Sequence, residues 1–259
     1  MCLILLAYRA HPEYPVIIAA NRDEFYERRT AHAAYWDDNP EILAGKDLQG
    51  GGTWLGVSKS GRIAMITNYR EPGSFNQDAP TRGKLVSDFL SGKKNAMNYL
   101  QQVKHGARSY NGFNLILGDD SGFYYFSNRS DKINQLPCGV FGLSNHLLDT
   151  PWPKVEKSKN KLMKSLEQTQ VNENELFAIL SDVTPANDAQ LPDTGVGVEL
   201  EKMLSPVFIK SPKYGTRCST IILIDKKLKV SFVERTYAPE DGRWTELRYE
   251  LNWRATIVS

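Results

Sequence analysis

A chain of 259 residues, 41% hydrophobic and 24% charged, has the make-up of a globular protein large enough to bury most of its apolar surface without covalent staples. Its formal net charge of +2, with lysine and arginine scattered along the chain, leaves no electrostatic footprint for nucleic acid. Three cysteines, Cys2, Cys138 and Cys218, with no CxxC spacing argue against a disulfide framework or a structural zinc site.

Cysteine usage fits a reducing compartment. The opening MCLILLAYRAHPEYP lacks the positive start and long apolar stretch of a signal peptide, and no 18-residue apolar run is present, so no transmembrane segment is expected. The expected location is cytoplasmic.

In chain order, Cys2–Tyr8 is an almost continuous apolar run. His11–Pro15 turns it back into a second, Val16–Ala20, and the two predict a hairpin buried on both faces. Gly51-Gly52 leads into Thr53–Val57, and Ser58–Gly61 turns it into Arg62–Thr67, a second hairpin. Helices are predicted over Thr81–Leu90 and Asn95–Val103. Phe113–Leu117 and Phe123–Phe126 flank a Gly118–Gly122 turn. Pro153–Gln168 carries Pro near its start and an apolar stripe, and Asn174–Leu180 is a shorter helix. Val183–Gly197 reads as a loop over a site. Thr220–Ile224 and Leu228–Val233 form a fourth hairpin, and Arg243–Leu251 is a last strand. Strands arriving in adjacent pairs predict an α+β chain with mostly antiparallel sheet, and the buried strands with amphipathic helices predict stacked sheets with helices outside.

Chemistry concentrates at the start. A small residue after Met1 permits its removal, which frees the α-amine of Cys2. An α-amine titrates near about 8 and so can serve as base for its own thiol, a strong nucleophile. The alternative is a small buried residue opening a strand. Asn21-Arg22-Asp23-Glu24 closes the second strand. Strand alternation puts Asn21 and Asp23 on one face and Arg22 and Glu24 on the other, and the hairpin brings Asp23 near Cys2. Gly50-Gly51-Gly52-Thr53-Trp54 lacks the order of a phosphate loop and reads as a tight turn and a close backbone approach, with Trp54 able to wall a pocket. The histidines have no metal spacing, and only His146, beside Asn145, is placed near a site. No metal or cofactor is expected, with haem admitted only as a ligand.

Taken together, MCLILLAY, AANRDE, GGTWLGVSKSGRIAMITNYR, GLSNHLLDTPWPKV and YGTRCSTIILID resemble the NRDE-motif family, the Transport and Golgi organisation protein 2 family, along essentially the whole of residues 1–259, read as one domain. A more distant resemblance is to the N-terminal nucleophile hydrolases that cleave bile-acid amides and penicillin V. That resemblance implies a four-layer αββα sandwich with mainly antiparallel sheets. It also implies site roles: Cys2 as nucleophile, Asp23 as orienting carboxylate, Asn145 as oxyanion-hole amide and Arg217 as the late arginine. Asn68, Asn21, Arg22, Trp54 and His146 are candidate binding residues. The family resemblance implies membrane-organelle homeostasis and the handling of a small-molecule, lipid-like or haem-like ligand. Two functions therefore stand side by side: a cysteine amidohydrolase, or a binding and trafficking protein that uses the same pocket without turnover.

Overall fold

The computed structural model describes residues 2–253. Among them the strands are β1 (Cys2–Tyr8), β2 (Val16–Phe25), β3 (Thr30–Trp36), β4 (Asn39–Asp47), β5 (Leu55–Ser58), β6 (Arg62–Asn68), β7 (Phe113–Asp119), β8 (Gly122–Ser127), β9 (Ile133–Gln135), β10 (Gly139–Leu143), β11 (Tyr214–Ile224), β12 (Lys229–Tyr237) and β13 (Trp244–Asn252). The α-helices are α1 (Gly83–Ser91), α2 (Ala96–Gly106), α3 (Pro153–Ser165), α4 (Glu173–Leu180) and α5 (Val198–Leu204). One sheet runs β10-β1-β2-β11-β12-β13 and the other β3-β4-β5-β6-β7-β8-β9, and the pairings within both are antiparallel.

Alternation along β1 explains the layering. Ile4, Leu6 and Tyr8 point into a core between the two sheets, with Ile18, Val57, Met65 and Phe232. Leu3, Leu5 and Ala7 point the other way, against Val155 and Leu162 of α3 and Phe177 of α4. The second sheet turns its outer face to Leu85, Phe89 and Leu100 of α1 and α2. The expected αββα sandwich is what forms. The first strands are apolar on both faces because both faces are covered.

Three stretches went unread in the sequence. Strands β3 and β4 are broken by register shifts at Ala31/Ala34 and Tyr35/Trp36, so β3 never shows a regular alternation. The short β9 and β10 carry few buried residues. Helix α5 spans seven residues, too few to display a helical stripe.

The glycine turn does what its composition implies. Gly51 and Gly52 have φ of +67° and +75°, and a Cβ on Gly52 would lie 2.3 Å from the Gly83 carbonyl carbon. Only glycines permit this crossing, which seats the start of α1 against the loop before β5.

Candidate active site

Strand register assembles the centre of the site. Ile4 pairs with Leu143 across β1 and β10, so Asn145, two residues past Leu143, falls opposite Cys2. The Cys2 backbone nitrogen donates to Asn145 Oδ1 at 3.2 Å, and Ser144 Oγ donates to the Cys2 carbonyl at 2.9 Å. Asn145 Nδ2 donates to the Asn68 carbonyl at 2.8 Å, and the Arg70 amide donates to the Asn145 carbonyl at 2.7 Å. Thr67 Oγ1 donates to the Ser144 carbonyl at 2.7 Å. The end of β6 is thereby tied to the end of β10, one strand from each sheet, with Cys2 between them.

Cys2 pairs with Arg22 on β2 and shares the inter-sheet face with it. There a cavity of about 270 Å³ opens, lined by Cys2, Arg22, Trp54, Asn68, Phe75 and Arg82 among others. Arg22 is 5% exposed. Its guanidinium lies 4.3 Å from the Trp54 ring centroid, donates to Thr30 Oγ1 at 3.2 Å and stands 3.9 Å from Glu24. Trp54 is held from behind by Gly45, where a Cβ would come within 2.2 Å of the indole. The Asn68 side chain makes no hydrogen bond among the described residues, so its carboxamide is free to meet a ligand.

Asn21 and Asp23 share the opposite face, as alternation requires. Asn21 Nδ2 donates to the Leu180 and Val207 carbonyls at 2.8 and 2.9 Å, and its Oδ1 accepts from Ser219 Oγ at 2.6 Å. Asn21 thus anchors the helix layer rather than the cavity. Asp23 is buried, and Thr216 Oγ1 donates to its Oδ1 at 2.6 Å. Burial pushes the Asp23 carboxyl up, opposed by Lys154, the Thr216 hydroxyl and Arg22. Burial also pushes the Cys2 thiol up, reinforced by the charge of Asp23 and opposed by the Asp23 backbone amide and Arg22. The thiol therefore needs a base to become a thiolate.

Two further expected site residues are not among those lining the cavity. Arg217 is the extra residue of a bulge, since Thr216 pairs with Asp23 and Cys218 with Arg22. Its Nη1 donates to the Phe25 and Arg28 carbonyls at 2.8 and 3.0 Å, pinning the loop after β2. His146 accepts from or donates to Tyr69 Oη at 2.7 Å and Thr150 Oγ1 at 2.9 Å, and burial pulls its pKa down. It braces the turn after β10 and does not line the cavity.

Sequence reasoning missed Arg82 and Lys154. Arg82, just before α1, lines the cavity and donates to the Gly112 carbonyl at 3.0 Å. Lys154 is 4% exposed and donates to the Leu204 carbonyl at 2.9 Å. Nothing in a Lys-rich helix sets Lys154 apart from a solvated lysine; the signal available was the adjoining Trp152 and Pro153.

Residues 1–239 match the family model described as Transport and Golgi organisation 2. The chain belongs to this family. It is 40% identical over 274 residues to the Transport and Golgi organization protein 2 homolog of Homo sapiens, covering 97% of this chain and 99% of that one. It is 26% identical over 288 residues to the Transport and Golgi organization protein 2 of Drosophila melanogaster, covering 98% and 99%. Among solved structures, it resembles the Caenorhabditis elegans N-acylethanolamine-hydrolyzing acid amidase ortholog with a TM-score of 0.50 at 12% identity, covering 86% and 92% of the two chains. It resembles the C2A mutant of the conjugated bile acid hydrolase from Clostridium perfringens with a TM-score of 0.50 at 10% identity, covering 95% and 92%. The chain therefore shares the fold of these two hydrolases. Among the described residues, no helix is long and apolar enough to cross a membrane.

Proposed function

We propose that this chain is a cysteine N-terminal nucleophile amidohydrolase acting on a small acyl amide in the cytoplasm. The observation that carries the proposal is the placement of Cys2. Its nitrogen is fixed by Asn145 at 3.2 Å while its thiol faces a cavity whose wall is polar, with arginines and carboxylates interleaved.

Removal of Met1 makes that nitrogen an α-amine. The amine takes the thiol proton, and the thiolate attacks the amide carbon. The oxyanion forms beside Asn68, whose carboxamide has no other claim on it, whereas the Asn145 donor is held by the Asn68 carbonyl. Asn145 acts instead as a positioning group for the amine, with Asp23 behind it. The C–N bond then breaks as the amine leaving group takes the proton from the α-ammonium, and water hydrolyses the thioester. An oxyanion donor of this kind is worth on the order of 10²–10³ in rate.

The test is amine release from N-acyl amides of graded acyl length, with intact mass confirming loss of Met1. Cys2→Ala is expected to abolish release and Cys2→Ser to retain a trace. Undiminished release by Cys2→Ala would refute the proposal. A second reading, ligand carriage without turnover, is favoured by the two aromatic side chains that line the cavity, Trp54 and the 69% exposed Phe75. On that reading a lipid-like or haem-like ligand is lost in Phe75→Ala and Trp54→Ala but kept in Cys2→Ala.

A further inference from the structure

Lys154 is the second residue of α3, yet it is 4% exposed. Lysine is among the residues least often buried without a partner, and the first turn of a helix is the positive end of its dipole. Both facts make this a costly place for an ammonium group. Its Nζ donates to the Leu204 carbonyl at 2.9 Å and reaches the Pro206 carbonyl at 3.5 Å. Those carbonyls begin a strap, residues 204–209, that runs under the end of β2. The same strap gives the Val207 carbonyl to Asn21, and its Ile209 amide donates to Thr216 Oγ1 at 2.9 Å. Thr216 in turn donates to Asp23. One segment therefore holds the Lys154 ammonium and the Asp23 carboxylate against the same strand end.

Carbonyl groups satisfy the protons of an ammonium but not its charge. The charges that act most on Lys154 are Asp23, the Cys2 thiol when ionised and Glu201, which favour its ammonium form, and Arg70, which opposes it. Glu201 on α5 is already ion-paired with Arg70 from the loop after β6, and it also accepts from the Thr194 amide at 2.9 Å. The other charges on β2 are Arg22, which faces the cavity and stacks on Trp54, and Glu24, 3.9 Å from the Arg22 guanidinium. Asp23, tied to the same strap through Thr216, is the buried carboxylate whose charge Lys154 opposes from the helix layer.

The consequence concerns the amine. A buried carboxylate holds a neighbouring amine in its protonated form. A protonated amine cannot accept the thiol proton. Building on the reading of a freed α-amine as the base, we infer that Lys154 is a positioning residue that balances the charge of Asp23 from the helix layer and so keeps the Cys2 α-amine neutral and basic.

The test reads the amine directly. The full chain is prepared to begin at residue 2 by site-specific cleavage of an N-terminal tag, with Cys2→Ala so that no thiol reacts. Carbamoylation of the α-amine by cyanate is followed by mass from about pH 5 to about pH 10, a range that brackets an ordinary α-amine. Lys154→Met is expected to raise the midpoint by about one pH unit, roughly a tenfold slowing at pH 7, and Lys154→Arg to restore it. In an Asp23→Asn background the midpoint is expected to fall, and Lys154→Met to raise it again toward the ordinary α-amine value. An unchanged midpoint in Lys154→Met, or no rise when Lys154→Met is added to Asp23→Asn, overturns the inference. If Lys154→Met does not fold, Asp23→Asn alone decides. With the Lys154 charge then unopposed, the midpoint must fall below the ordinary α-amine value of about 8, and a midpoint at or above that value refutes it. No substrate is turned over in this assay, so failure of the amidase reading, seen as no Cys2-dependent amine release, is told apart from failure of the role of Lys154.

Discussion

Replacing Gly45 by alanine tests how the cavity wall is held. The added Cβ would sit 2.2 Å from Trp54 Cη2 and 2.6 Å from Cζ2, far inside contact distance. The indole is rigid, so the whole ring must move, and its stack 4.3 Å from the Arg22 guanidinium must open. Overpacking of this kind costs about 1–3 kcal/mol. A desolvated cation–π contact adds about 0.5–2 kcal/mol. A total of roughly 2–4 kcal/mol is expected, which lowers the melting temperature by roughly 5–15 °C for a chain of this size. Thermal unfolding followed by circular dichroism measures it, and a cycle with Trp54→Leu isolates the cause. Once the indole is removed, Gly45→Ala should cost less than about 1 kcal/mol, an ordinary value for a tolerated substitution. An equal cost in both backgrounds would refute the reasoning and place the strain in the β4 backbone.

Other outcomes follow from the same structure. Asn145→Ala strips the acceptor from the Cys2 nitrogen and the donor from the Asn68 carbonyl, and is expected to cost about 1–3 kcal/mol in chemical denaturation and to lower Cys2-dependent turnover. Arg217→Ala is expected to cost about 1–2 kcal/mol through the Phe25 and Arg28 carbonyls while the rate of Cys2 alkylation stays unchanged; a large change in that rate would put the guanidinium at the thiol after all. Burial holds Lys154 near about 8 against an ordinary 10.5. The unfolded chain therefore binds the extra proton between those values, so this group makes stability rise with pH across the window, by roughly 3 kcal/mol at most. Denaturation midpoints at pH 7.5 and about pH 10 should show the rise in the parent chain and its loss in Lys154→Met.

The parts of the fold that were legible were those whose residues answer to one neighbour rule. β1 and β2 announce themselves because every residue from Leu3 to Ala20 in the two strands must be apolar, being covered on both faces. Asn21, Arg22 and Asp23 could be assigned to faces by alternation alone, and the structure keeps that assignment. Arg217 could not be placed this way. A bulge shifts the count by one, and no residue type announces it in the string Tyr-Gly-Thr-Arg-Cys. Asn145 and Asn68 were both singled out, but the partition between them depends on which carboxamide is already bonded, a fact of three dimensions. Lys154 escaped because a lysine at a helix start resembles any exposed lysine until the strap beyond α5 is seen to cover it.

The bulge in β11 also sets where that strand can change length. Thr216 and Cys218 stand two residues apart and would share a face in a regular strand, yet Thr216 meets Asp23 on the helix side while Cys218 pairs with Arg22 on the other. Arg217 absorbs the difference. Deleting it would leave Thr216 and Cys218 as ordinary neighbours, each still on its present side. A gap anywhere else in β11 would turn the residues beyond it inside out, presenting Ser219 to the core between the sheets and Ile222 to the helices. A deletion scan along the strand should therefore find one tolerated position, and that position marks the joint at which the site end of the strand and its core end can be varied independently.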